Sequence, residues 1–122
     1  MFPMETEGER AIFVRQMREQ LSCDQQTFAG IVGVSTAAVS RWENDRAEPH
    51  DRHWEQLHDL DEELMRRCDS ERLIAMLKIA AALGQSRSPL KLLVRGELEE
   101  ELRYRLEEID LNSGANNMEL YL

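Results

Sequence analysis

The stretch Gln25 to Glu48 reads QQTFAGIVGVSTAAVSRWENDRAE, and it narrows the possible folds more than any other part of the chain. It predicts two short helices joined by a tight turn. Asp24 stands where its carboxylate can take an unpaired backbone N–H of a helix opening at Gln25. Phe28, Ala29 and Val32 recur at helical spacing on one face. Ala29 is small, which lets a second helix pack close. Gly33 falls where the first helix stops, a position that favours a left-handed backbone. Val34 then turns inward and Ser35 is placed to cap the second helix. In that helix Ala38, Val39 and Trp42 face the core. Thr36, Ala37, Ser40, Arg41 and Asn44 are left on or beside the outer face. Cap, spacing and turn residue all agree on one pair of helices.

Two helices joined in this way form a helix-turn-helix, a unit that holds its second helix in the major groove of DNA. Over residues 8 to about 65 the chain resembles the phage repressor/Cro-type helix-turn-helix family, the xenobiotic-response-element class. The resemblance rests on Arg18, Gln25, Ala29, Gly33, Val34, Ser35, Val39, Ser40, Arg41, Trp42, Glu43 and Pro49, spaced without gaps. It implies a lambda-repressor-like bundle at the N-terminal end of an all-α chain. It also implies that Arg18 and Glu43 form a buried ion pair, tying the first helix to the end of the second motif helix. The alternative is two surface charges that never meet.

The resemblance assigns DNA roles as well. Thr36, Ala37, Ser40 and Arg41 would face the bases, while Gln25, Asn44 and Arg46 would hold phosphates. Arg41 is the leading candidate, because a guanidinium can take N7 and O6 of guanine together. A surface salt bridge from Arg41 to Asp45 or Asp24 is the other reading. Asp45 departs from the family pattern, which carries glycine there, and it adds negative charge beside an expected phosphate. Gly30 also departs from a good helix interior, by roughly 1 kcal/mol relative to alanine.

Charge argues against strong non-specific binding. The chain has 15 Lys+Arg against 24 Asp+Glu, a formal net charge of −9. Phosphate contacts supply most non-specific affinity, and this chain offers few cations for them. Beyond residue 50, however, 16 acidic residues face 10 basic ones, so much of the acid lies outside the motif. Arg41 and Arg46, with Arg15 or Arg10, are left to make a local positive face. The expectation is weak non-specific binding and two modules on one site.

The rest of the chain reads as helical. A first helix is expected from about Glu7 to Leu21, with Ile12, Val14, Met17 and Leu21 available for burial. A helix of about 50–68 follows Pro49, with Trp54, Leu57, Leu64 and Cys68 inward. Ser70 is placed to cap the next helix, which ends at Gly84. Its LIAMLKIAAAL run is apolar nearly all round and asks to be covered on most sides. Ser88-Pro89 opens a last helical region that Gly96 kinks or divides. There Leu98, Leu102, Leu106 and Ile109 form a stripe suited to another helix, in the same chain or in a second copy. The domain organisation read from these signals is a DNA-binding domain over 1–68, a helical dimerisation region over 69–111 and a flexible tail over 112–122.

Other constellations carry less. Arg87, Lys91 and Arg95 share a helix face and are expected to pair with nearby glutamates, the alternatives being an acidic partner or flanking DNA. His50, His53 and His58 lie among acids, but nothing completes a metal shell. Cys23 reads as core. Cys23 and Cys68 show no metal or redox spacing. No phosphate loop, nucleophile elbow or His-Glu helix motif is present, so neither an enzyme nor a cofactor is expected. No apolar run is long enough to span a membrane, and the N-terminus does not read as an export signal. A cytoplasmic regulator fits these features, most simply a homodimeric repressor on a palindromic operator. The alternative is an antitoxin-type protein whose acidic C-terminal helices bind a partner protein and which represses its own operon.

Overall fold

Side-chain caps and left-handed breaks cut the chain into short helices. The computed structural model describes residues 8–84 and 87–121, with side chains as far as Ile109. Among the described residues the helices are α1 (Glu9–Gln20), α2 (Gln25–Val32), α3 (Thr36–Glu43), α4 (Asp51–Arg66), α5 (Ser70–Leu83), α6 (Pro89–Val94) and α7 (Leu98–Tyr121). There is no strand among them, and the fold is all-α as the residue pattern predicts.

The motif is built as its residues dictate. The Asp24 carboxylate accepts the Thr27 N–H at 2.8 Å, and the Ser35 hydroxyl accepts the Ala38 N–H at 3.1 Å. The hydrogen bond from Thr27 holds the Asp24 carboxyl below its ordinary range. A serine cap of the Ser35 kind contributes about 1 kcal/mol. Gly33 ends α2 with φ +88°, and its N–H returns to the Ala29 carbonyl. Phe28, Ala29, Val32, Val39 and Trp42 are all buried.

The C-terminal helices are part of the same core. A single apolar cluster runs from Val14, Met17 and Leu21 through Phe28 and Ile31 to Leu57, Leu60, Leu73, Leu77, Leu90, Leu98 and Leu102. The boundary read at residues 68 and 69 is therefore not a break in packing. The second motif helix, α3, covers one side of α2, and α5 and α6 cover the other. That is why Ile31 is buried beside Phe28 and Val32, although it lies off the face that spacing selects.

The two close approaches to α2 explain its glycines. A methyl group on Gly30 would stand 3.3 Å from Cβ of Ala81, so α5 packs almost on the α2 backbone. A methyl group on Gly33 would stand 2.6 Å from Cβ of Ser88, the residue that caps α6 through the Lys91 N–H. Gly30 therefore offsets its poor helix propensity by admitting a neighbour.

Several sequence expectations are corrected. Ile12 and Cys68 are exposed, Ile12 on the solvent side of α1 and Cys68 in the turn between α4 and α5. Trp54 is only half-buried. Ser70 does not cap α5. The N-cap position belongs to Asp69, whose carboxylate is taken by Arg67 at 2.8 and 3.0 Å. Leu98 and Leu102 are buried, whereas Leu106 and Ile109 are not, so the α7 stripe outruns its own body. The backbone of α7 continues to Tyr121, through most of the segment read as a tail. Leu122 and the side chains beyond Ile109 lie outside the described residues. Gly96 divides the last region into α6 and α7.

Candidate nucleic-acid interface

Glu43 closes α3, and its carboxylate organises the site. Arg18 from α1 grips it with two bonds, Nε to Oε2 at 2.6 Å and Nη2 to Oε1 at 2.9 Å. Gln25, the first residue of α2, donates its amide to Oε1 at 3.2 Å. Arg15 donates to the Glu43 backbone carbonyl at 2.8 Å, neutralising the negative end of the α3 dipole. Arg18 also reaches the Cys23 carbonyl at 3.2 Å. One carboxylate thus ties three helices together. Glu43 is only 6% exposed. Burial works to raise its carboxyl, but the hydrogen bonds from Arg18 and Gln25 and the guanidinium charges outweigh it and hold the group below its ordinary range. The same bond raises Arg18.

With its end anchored, α3 turns a polar face outward. Thr36, Ala37 and Arg41 are exposed and Ser40 is half-buried. No ion pair joins Arg41 to Asp45 or Asp24 among the described residues, which leaves its guanidinium on the outward face. Asn44 donates its amide to the Ser40 carbonyl at 2.8 Å and lies near the Ser40 hydroxyl at 3.4 Å. Arg46 is exposed just beyond the helix, and its backbone N–H returns to the Arg41 carbonyl. Asp45 sits in the left-handed region with φ +58°, the conformation for which the family pattern supplies glycine.

Two site residues do more than the sequence shows. Gln25 spends a side-chain N–H on Glu43, so the residue assigned to a phosphate is also part of the anchor. Asn44 is likewise held by the last turn of α3. The cationic surface is narrower than the count of arginines suggests. Arg10 bonds the Pro49 carbonyl at 3.3 Å and lies 4.6 Å from the Trp54 ring centre. Arg15 is tied to α3. Arg41 and Arg46 remain at the outward face.

The histidines are used structurally. His50 caps α4, its Nδ1 accepting the Arg52 N–H at 3.1 Å. His58 stacks on Phe13 at 4.3 Å. His53 lies against Trp42, and its Nδ1 is buried without a hydrogen-bond partner. Among the described residues no group of three or more His, Cys, Asp or Glu side chains is placed to hold a metal ion. Arg87 pairs with Glu97 at 3.0 Å, as the neighbouring glutamates lead one to expect. Sequence alone gave no sign of the Arg15 bond or the Gly33–Ser88 contact, since neither leaves a local spacing.

A short capped helix, a tight left-handed turn and a second helix with a polar outer face make up a helix-turn-helix, the unit that presents its second helix to DNA in regulators of transcription. The family described as "Helix-turn-helix" matches residues 14–60, which hold the whole α2–turn–α3 unit and the Arg18–Glu43 anchor. That segment is a helix-turn-helix domain of the phage repressor/Cro type, and it spans less than half of the chain. No curated protein and no solved structure matches the chain. No described helix is long and apolar enough to cross a membrane.

Proposed function

We propose that the protein is a dimeric repressor that reads a palindromic operator through α3. The observation that carries this reading is the Glu43 anchor. It holds the C-terminal end of α3 against α1 and α2 while Thr36, Ala37 and Arg41 stay outward. A helix held at one end and bare on its far side suits a major groove. Arg41 takes a guanine edge, Ala37 touches a thymine methyl, and Thr36 and Ser40 make further base contacts. Gln25, Asn44 and Arg46 contact phosphates on either side of the groove. With a net charge of −9, one module binds non-specific DNA weakly, and two modules on half-sites about one helical turn apart supply the affinity. Occupying a promoter blocks polymerase without any activating contact. The protein works in the cytoplasm, at the nucleoid.

Selection of bound duplexes from random sequence gives the site, and Arg41→Ala tests the reading helix. The variant keeps its fold and loses roughly 1–3 kcal/mol per half-site at one base pair. Unchanged base preference in Arg41→Ala, measured on the selected duplex by titration, counts against α3 as the reader.

A further inference from the structure

Besides a groove lined by Met76, Leu93, Val94 and Leu98 with Glu63, Arg67, Arg95 and Glu99 at its rim, two grooves on the C-terminal half leave apolar side chains uncovered. One lies between α4 and α6, where Leu93 and Val94 sit beside Asp59, Glu62 and Glu63. The other lies between α5 and α7, has a volume of about 300 Å³, and is lined by Met76, Ile79, Leu102 and Leu106 with Arg72, Glu99 and Arg103 at its rim. Ile79 is 43% exposed and Leu106 45%, and Ile109, next on the same stripe, is 46% exposed. Resting on the reading of the chain as a binder of two-fold operators, we propose that the α5/α7 groove is the interface with a second copy of this chain. The two copies meet there through the same face, related by a two-fold axis.

The spacing of α7 supports a helix as the occupant. Leu98, Leu102, Leu106 and Ile109 recur at intervals of four, four and three, which is the spacing of a seam that packs on another helix. The chain's own helices bury the first two positions and leave the last two uncovered. The seam therefore continues past its intramolecular partners and takes helices from outside.

Charge is compatible with a copy of the same chain. A two-fold interface sets a patch against itself, so a rim of one sign repels and a mixed rim does not. The α5/α7 rim is mixed. Glu99 lies between Arg72 at 3.0 Å and Arg103 at 3.8 Å. Opposed to itself, a rim that carries both signs has registers in which arginine meets glutamate on both sides of the axis. The α4/α6 groove fails this criterion. Glu63 is paired with Arg66 and Arg67, but Asp59 and Glu62 have no cation within ion-pair distance among the described residues. Self-apposition there sets carboxylate against carboxylate.

Sedimentation equilibrium of the full chain from about 1 to about 100 μM tests the interface. Leu106→Asp and Ile79→Asp each place one charge per copy in the seam, and Val94→Asp places one in the other groove. All three positions are exposed, and circular dichroism checks that helix content is kept. The wild type sediments as a dimer. Leu106→Asp and Ile79→Asp each raise the dimer dissociation constant by about a hundredfold or more, because both copies lose an apolar contact. Val94→Asp leaves it unchanged. A wild type that stays monomeric throughout overturns the proposal, and so does a Val94→Asp effect as large as that of Leu106→Asp. Titration of the duplex selected by the wild type separates this inference from the one beneath it. A dimer made through this face that binds no duplex upholds the interface and removes the operator reading. A monomer that binds duplex does the reverse.

Discussion

Arg18→Met removes the cation from the Glu43 anchor and leaves the rest of the chain intact. Glu43 then keeps one side-chain donor, Gln25, at 3.2 Å, in a position only 6% exposed. Breaking one side of a buried ion pair costs about 3–5 kcal/mol, because the remaining charge is stranded. The Arg18 side chain is itself 22% exposed, so water reaches the vacated site and the expected loss falls to about 2–4 kcal/mol. For a chain of this size that lowers Tm by roughly 10 °C. The pH dependence gives a second readout. In the wild type the Glu43 carboxyl is held below its unfolded value, so its contribution is complete above about pH 4.3 and fades as the pH falls through the folded value. In Arg18→Met, only the Gln25 bond and the Arg15 charge still oppose burial, and the carboxyl moves upward. The deficit of the variant is then largest at neutral pH and shrinks on acidification. Arg18→Met/Glu43→Gln recovers part of the loss, since no charge is left unpaired. Urea unfolding of the three proteins at pH 7 and pH 4 measures all of this. A loss below about 1 kcal/mol at neutral pH, with no convergence in acid, refutes the anchor and reduces the pair to a solvated surface contact.

The other predictions concern single positions. Asp45→Asn keeps a residue that tolerates φ +58° and removes a negative charge beside the expected phosphates. It strengthens binding to the selected duplex and to random duplex alike, and fluorescence anisotropy reads both. Gly33→Ala places a methyl group against Ser88 and forces alanine into the left-handed region, at a cost of about 2–4 kcal/mol in urea unfolding. Adding Ser88→Gly returns only the steric part. His53 is held below its ordinary range first by burial and then by the nearby charge of Arg52. Its neutral form favours the fold, so the stability it contributes is complete above about pH 6.5 and is lost as the pH falls through the lower folded value. Replacing His53 with Phe flattens the fall in Tm between pH 7 and pH 5. An unaltered slope assigns that fall to other groups.

Most of the motif was legible residue by residue. Asp24, Ser35 and Ser88 cap helices because a cap acts over three residues of continuous backbone, and such a bond is written in local order. Gly33 marks the turn for the same reason. The Arg18–Glu43 pair spans a longer interval, yet it was readable through the family resemblance and the structure supplies both of its bonds. The exposed face of α3 followed from helical spacing, which also placed Phe28, Val32, Val39 and Trp42 inside.

Long-range packing was not legible in that way. That α5 and α6 cover the far side of α2 depends on the path of the chain after Pro49, and no local spacing encodes a path. The burial of Ile31, the approach of Ser88 to Gly33 and the exposure of Ile12 and Cys68 all follow from it. The same holds for charge. Composition counts arginines, but geometry assigns Arg10 to Trp54 and Pro49 and Arg15 to the end of α3, leaving Arg41 and Arg46 facing outward. Backbone conformation and capping are set by neighbours in the chain, so order along the chain specifies them. Burial and ion pairing are set by neighbours in space, and those exist once the helices have packed.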